Sequence, residues 1–64
     1  MPGFKLKDIS SLAGLTKLRY LDLYDNEVKD LSPLSNLSSL ETLDIRENPV
    51  RDLSPVEHVP QLTY

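Results

Sequence analysis

The chain has 64 residues, seven Lys and Arg against ten Asp and Glu, a net charge of −3, one histidine and no cysteine. That length allows one small domain; the missing cysteine removes disulfides and thiolate zinc sites, and a lone His58 removes a histidine metal cluster. A mildly acidic chain lacks the basic stripe that nucleic acid demands, and no apolar run approaches the ~18 residues of a membrane-spanning helix, so neither nucleic acid nor membrane insertion is expected.

Internal repetition organises the rest. The phrases "DISSL" (Asp8–Leu12), "DLSPL" (Asp30–Leu34) and "DLSPV" (Asp52–Val56) stand 22 residues apart. When 15–36 is laid over 37–58, ten of the 22 positions are identical, among them Leu15/Leu37, Leu21/Leu43, Asn26/Asn48, Asp30/Asp52 and Pro33/Pro55. Average composition gives about one or two identities by chance. The period divides the chain into a partial unit at 1–14, whole units at 15–36 and 37–58, and a stub at 59–64.

In the partial unit, Leu6, Asp8, Ile9 and Leu12 take the positions of Val28, Asp30, Leu31 and Leu34. Met1 falls at the position of Leu23, the tail of a strand. Phe4 stands where Asn26 stands, which predicts a break in the Asn pattern and an apolar plug at that end. Gly14 shares its position with Asn36 and His58. Gly and Asn suit a left-handed exit from a turn, and His58 suits it less well.

The first whole unit alternates apolar and polar residues over "YLDLY" (Tyr20–Tyr24), which is strand periodicity. Leu21 and Leu23 fall on one face; Tyr20, Asp22 and Tyr24 fall on the other. "SPL" then reads as one tight helical turn, with Ser32 at the N-cap and Pro33 at the first helical position. So short a turn favours the 3-10 form. The second unit repeats the scheme: "TLDIR" (Thr42–Arg46) puts Leu43 and Ile45 on one face and Thr42, Asp44 and Arg46 on the other, and Ser54 and Pro55 open the next turn. In the stub, Val59 and Leu62 fall on Leu15 and Leu18, and Tyr64 falls on Tyr20, the head of a strand. A chain that starts at one strand's tail and stops at another's head, with no polar cap, reads as a truncated or engineered piece.

The stretches "LTKLRYLDLYDNEV" and "LSSLETLDIRENPV" resemble the leucine-rich repeat motif L-x-x-L-x-x-L-x-L-x-x-N. With "DLSPL" following, the 22-residue unit looks most like the class found in bacterial internalins and in a eukaryotic phosphatase-regulating family. The resemblance covers nearly the whole chain. It implies an α/β solenoid: a right-handed leucine-rich repeat coil with short parallel strands and 3-10 turns, and little or no α-helix. Stacking units at strand spacing, ~4.8 Å, lines up equivalent residues. Leu15, Leu18, Leu21, Leu23, Val28, Leu31 and Leu34 then point inward against their partners 22 residues on. Asn26 and Asn48 follow the strands, and an amide with two donors and an acceptor suits a ladder that ties backbone groups across the turn.

With the inward face committed to packing, function is expected on the outward strand residues Tyr20, Asp22, Tyr24, Thr42, Asp44 and Arg46. These form a grid on the expected concave face, where repeat solenoids bind partners, and Tyr and Arg are favoured at interface hot spots. The expectation is a non-catalytic protein-recognition module whose partner is a protein. The alternative is a structural or engineered repeat piece without a ligand of its own, which self-associates through its open ends or is covered there by another chain.

Other chemistries fit less well. Asp22 and Asp44 lie one strand spacing apart, with Arg46 and Arg19 as compensating charges. Two carboxylates fall short of the six to eight oxygens of a Ca²⁺ site. A two-strand face gives a paired-carboxylate hydrolase no water-excluding pocket. His58 with Ser54 or Asp52 makes a weak nucleophile system, since each occupies a repeating corner. No cofactor is implied. Arg19 and Glu41 suit an exposed cross-strand pair, and Lys5, Lys7, Lys29 and Arg51, interleaved with Asp8, Asp30 and Asp52, suit a solvated mixed-charge rim.

Overall fold

A computed structural model describes residues 2–64; Met1, which the repeat aligns with Leu23, lies outside the described residues. Three 3-10 turns, η1 (Ser10–Leu12), η2 (Ser32–Leu34) and η3 (Ser54–Val56), alternate with three strands, β1 (Tyr20–Asp22), β2 (Thr42–Asp44) and β3 (Gln61–Thr63). The strands form one open parallel sheet in the order β1-β2-β3. The described residues contain no α-helix. The sheet and the row of 3-10 turns enclose one core, as expected for the solenoid.

Each 3-10 turn starts where its sequence dictates. Pro33 and Pro55 lie in the first turn of η2 and η3, where a fixed φ fits and an absent N–H costs nothing. The expected Ser N-caps do not form. Leu31 and Leu53 occupy the cap positions and Ser32 and Ser54 already lie inside the turns. The Asp two residues earlier does the work instead. Asp8, Asp30 and Asp52 each accept, through Oδ1, the N–H of Ser10, Ser32 and Ser54 at 2.9 Å. A short acidic side chain reaches the amide two residues on more directly than a Ser reaches past Pro. The same bond, with a second from the Ser side chain, holds all three carboxyls below their usual range.

Burial follows the apolar ladder. Leu21, Leu23, Val28, Leu31, Leu34, Leu37, Leu40, Leu43, Ile45 and Val56 are all buried. Each such side chain is worth ~1.5–3 kcal/mol of transfer free energy, and their sum is what a chain without disulfides has to set against conformational entropy. Leu15 departs from the expected inward set. It is 47% exposed, whereas its equivalent Leu37 is 0% exposed. Leu37 has coils on both sides, and Leu15 has one. Phe4 departs too: its side chain is 70% exposed and plugs nothing. Its backbone N–H donates to Asn26 Oδ1 at 3.1 Å, so Asn26 still reaches the preceding coil although no amide side chain stands at position 4.

The left-handed backbone positions are not those expected. Gly14, Asn36 and His58 have no positive φ. The reversal occurs on leaving the strand, at Gly3 (φ 74°), Asp25 (57°) and Glu47 (59°), which are 22 apart; Lys5 (56°) is a further case. A side chain in this region costs roughly 1–2 kcal/mol. The neighbouring bonds offset it: Asp25 N–H donates to the Arg46 carbonyl at 3.0 Å, and Asn26 and Asn48 tie down the next residue.

The last strand breaks the period. β1 and β2 pair at the repeat offset, Tyr20 with Thr42, Leu21 with Leu43 and Asp22 with Asp44. β2 and β3 pair three residues early, Thr42 with Gln61, Leu43 with Leu62 and Asp44 with Thr63. Leu62 therefore lies in the Leu21/Leu43 row, where the period had placed it beside Leu18 and Leu40. Tyr64 follows β3 instead of heading a strand. The paths separate at Pro60, after the corner. In the full units a turn closes after the corner, with Leu18 N–H on the Leu15 carbonyl and Leu40 N–H on the Leu37 carbonyl, each at 3.0 Å. Val59 makes the corner bond to Val56 at 3.1 Å, but the chain then goes straight into β3, with Gln61 N–H on the Glu41 carbonyl at 3.0 Å.

Candidate functional site

The outer face of the sheet is built by strand alternation. Side chains of one parity enter the core, and those of the other stand in rows set by the register. The first row is Tyr20, Thr42 and Gln61; the second is Asp22, Asp44 and Thr63. Beyond the strands, Tyr24 and Arg46 form a third pair, joined through backbone where Asp25 N–H donates to the Arg46 carbonyl. All six outward residues read from the sequence lie on this face. Tyr20 is 61% and Tyr24 41% exposed, Arg46 is exposed, and Asp22, Thr42 and Asp44 are half-buried.

The face is ordered by its own bonds. Asp22 Oδ1 accepts the Tyr24 N–H at 3.0 Å, and Asp44 Oδ1 accepts the Arg46 N–H at 3.0 Å. The Arg46 guanidinium also grips the Asp44 carboxylate in two places, Nη2 to Oδ2 at 2.8 Å and Nε to Oδ1 at 3.1 Å. Its carbon lies 5.1 Å from the centre of the Tyr24 ring. A planar guanidinium between a carboxylate and a ring face uses both of its recognition modes at once. The Arg46 hydrogen bond holds the Asp44 carboxyl below its usual range, and Asp44 in turn raises Arg46, with smaller contributions from Tyr24 and Asp22. Arg19, the other expected compensator, is engaged elsewhere, in an exposed pair with Glu41.

Asn26 and Asn48 lie behind this face and hold its edge. Asn26 Oδ1 accepts the N–H groups of Phe4 and Leu6, and its Nδ2 donates to the carbonyls of Leu23 and Tyr24. Asn48 Oδ1 accepts the Val28 N–H at 3.0 Å, and its Nδ2 donates to the carbonyls of Leu23, Ile45 and Arg46 at 2.7–3.1 Å. Each amide thus links its own turn to the preceding coil. No buried side-chain polar atom lacks a partner among the described residues.

The remaining candidates are not brought together. His58 Nε2 lies 3.1 Å from the Leu37 carbonyl, an arrangement that makes it a donor, while Asp52 is bound to the Ser54 N–H. Among the described residues no group of three His, Cys, Asp or Glu side chains could hold a metal ion, and no helix is long and apolar enough to cross a membrane. On the rim, Lys7 and Glu27 approach to 3.9 Å with both side chains exposed.

Gln61 and Thr63 extend the face and were not read from the sequence. Thr42 Oγ1 donates to Gln61 Oε1 at 3.2 Å. The signal was available in "QLT", a single apolar residue between two polar ones, but the 22-residue offset outweighed it.

The family model for leucine-rich repeats in two copies matches residues 3–36 and again 16–58. No curated protein matches the chain. Leucine-rich repeats generally serve protein–protein interaction, through extended surfaces that stacked repeats create. With the two family matches spanning most of its length, and with stacked strands, buried leucines and Asn-bound turns in place, the chain belongs to the leucine-rich repeat family.

Proposed function

We propose that the chain is a non-catalytic protein-recognition module that uses the outer strand face, concave in longer stacks, with Tyr20, Asp22, Tyr24, Thr42, Asp44 and Arg46 as contact residues. One observation carries the reading: the inner face is used by the core, while two exposed tyrosines and a held arginine stand on the opposite face. Such residues lose little side-chain freedom on binding and are the types that dominate interface energetics. Within the family, the 22-residue unit and its "DLSPL" corner favour the internalin-like class.

The test is selection of a displayed library of small protein domains and peptides on the chain, followed by affinity measurement on variants. Tyr24→Ala should raise Kd at least tenfold, while Ser35→Ala, on the opposite side, should leave it unchanged. Binders indifferent to Tyr20, Tyr24 and Arg46 substitutions would overturn the proposal.

The open sheet supports a second reading, association of copies edge to edge through β1 and β3, since strand edges pair readily. Sedimentation across a hundredfold concentration range separates the two. A monomer throughout removes the second reading.

A further inference from the structure

Resting on the recognition reading above, we propose that the outer face takes an extended proline-rich segment of its protein partner, with proline rings on Tyr20 and Tyr24 and a main-chain carbonyl on Arg46. The first ground is which groups of the face are already used. Its carboxylates are engaged: Asp44 accepts from the Arg46 guanidinium and main chain, and Asp22 accepts the Tyr24 N–H. Its donors are in excess. Arg46 uses Nε and Nη2 on Asp44, and its Nη1 has no partner among the described residues. Gln61 accepts the Thr42 hydroxyl through Oε1, and its NH₂ group has no partner among them either. A guanidinium carries five N–H donors and no acceptor, so a partner that meets this face has to bring acceptors.

Charge decides which acceptor. The Arg46 guanidinium is already neutralised by Asp44, at 2.8 Å, and stays half-exposed. A carboxylate from the partner would arrive beside Asp22 and Asp44, which are paired in register one strand spacing apart. Like charges that close are destabilising. A neutral main-chain carbonyl meets the same donors without that repulsion. The guanidinium carbon lies 5.1 Å from the centre of the Tyr24 ring, so the carbonyl seat and a ring stand side by side.

Shape selects proline. Tyr20, 61% exposed, and Tyr24, 41% exposed, stand four residues apart on one side of the chain. At the rise of a strand that is about 13 Å. A polyproline II segment rises ~3.1 Å per residue, so about four of its residues link the two rings. Such a segment makes no internal hydrogen bonds, which leaves its carbonyls available to Arg46 and Gln61. Proline has no N–H, so it adds no donor to a face that already has them in excess, and its ring packs on aromatic side chains.

The experiment uses the 64-residue chain and peptides selected on it from a displayed random library, then synthesised with each proline replaced in turn by alanine or by sarcosine, which also lacks the N–H. Selected peptides are expected to carry at least two prolines within about six residues. Alanine at either should raise Kd at least fivefold, and sarcosine by less than alanine. Arg46→Lys should raise Kd at least tenfold, because a point-charge ammonium lacks the fork that grips Asp44 and donates onward. Its core amide spectrum should match the parent's. Changing the contacting peptide amide to an ester, a weaker carbonyl acceptor, should weaken binding to the parent and add nothing in Arg46→Lys, which marks direct coupling. Peptides that lose affinity on Tyr24→Ala yet lack proline, or that depend on an Asp or Glu, would overturn this inference and leave the recognition reading standing. Peptides that ignore substitution of Tyr20, Tyr24 and Arg46, or a library that yields no binder, would overturn both.

Discussion

Replacing Asn48 by Asp changes one NH₂ group to an oxygen and almost nothing in shape. The amide nitrogen donates to three carbonyls, those of Leu23 at 2.7 Å, Ile45 at 3.1 Å and Arg46 at 3.1 Å. Two of those carbonyls keep another donor: Leu23 has the Asn26 amide and Arg46 has the Asp25 N–H. The Ile45 carbonyl loses its partner, a cost of about 1–3 kcal/mol in a half-buried site. A carboxylate oxygen then faces three carbonyl oxygens, which adds repulsion of similar size. Asn48→Asp should therefore cost about 3 kcal/mol or more at pH 7. A chain of this length is stable by about 3–10 kcal/mol at the usual 0.05–0.15 per residue, so much of it would unfold.

The sign with pH is distinctive. Repulsion raises the introduced group's folded pKa above its unfolded value. The folded state then binds more protons between the two values, so stability is fullest below the unfolded pKa and is lost as pH rises through the folded one. Urea titration of parent and variant at pH 4.5 and pH 7 measures the difference. The penalty should shrink by at least 1 kcal/mol at the lower pH. A penalty below 1 kcal/mol, or one equal at both values, would refute the ladder argument.

The parent should show the opposite trend in acid. Asp8, Asp30 and Asp52 are held low by Ser N–H bonds, and Asp44 and Glu41 by arginines, so their contribution is present above the unfolded pKa and lost as pH falls through the depressed values. Thermal melts from pH 6 to pH 2 should show Tm falling below about pH 4, and a flat profile would contradict it. Leu37→Ala should cost about 2–5 kcal/mol, and Leu15→Ala, at the same repeat position but 47% exposed, under about 1 kcal/mol. Equal losses in denaturant titration would mean that the coils pack otherwise. The exposed Arg19–Glu41 pair should matter little: Glu41→Gln is expected to change stability by less than about 1 kcal/mol. Finally, adding a copy of residues 43–58 after Tyr64 should move Leu62 out of the Leu43 row and set Tyr64 opposite Thr42, because the longer register regains both a turn and a buried leucine. NOEs between Leu43 and Leu62 that persist in the lengthened chain would speak against it.

Much of this architecture can be read before any coordinate. A 22-residue spacing, an alternation around Leu21 and Leu43, and the recurring Asp-x-Ser corner, with Pro after Ser32 and Ser54, dictate strand, turn and stacking, since each depends on a few neighbouring residues and on repetition. The same alternation puts Tyr20, Asp22 and Tyr24 on a common face with Thr42, Asp44 and Arg46. A partner for that face lies outside any periodic signal, because packing alone fixes the period.

Other features depended on the number and placement of neighbours, which a local pattern cannot express. Leu15 and Leu37 are the same letter at the same position, yet only Leu37 lies between two coils. Glu47 adopts a left-handed backbone that its own preference opposes, because Asn48 and the adjacent strand hold it there. "VPQLTY" satisfies two registers on paper, and strand pairing against Thr42–Asp44 selected the shorter one. The amino-acid order thus determined the repeating coil, through short-range geometry copied along the chain. Tertiary structure alone decided the register of β3, the exposure of Leu15 and Phe4 and the guanidinium seat between Asp44 and Tyr24, since each is a contact between segments far apart in sequence or an edge where such a contact ends.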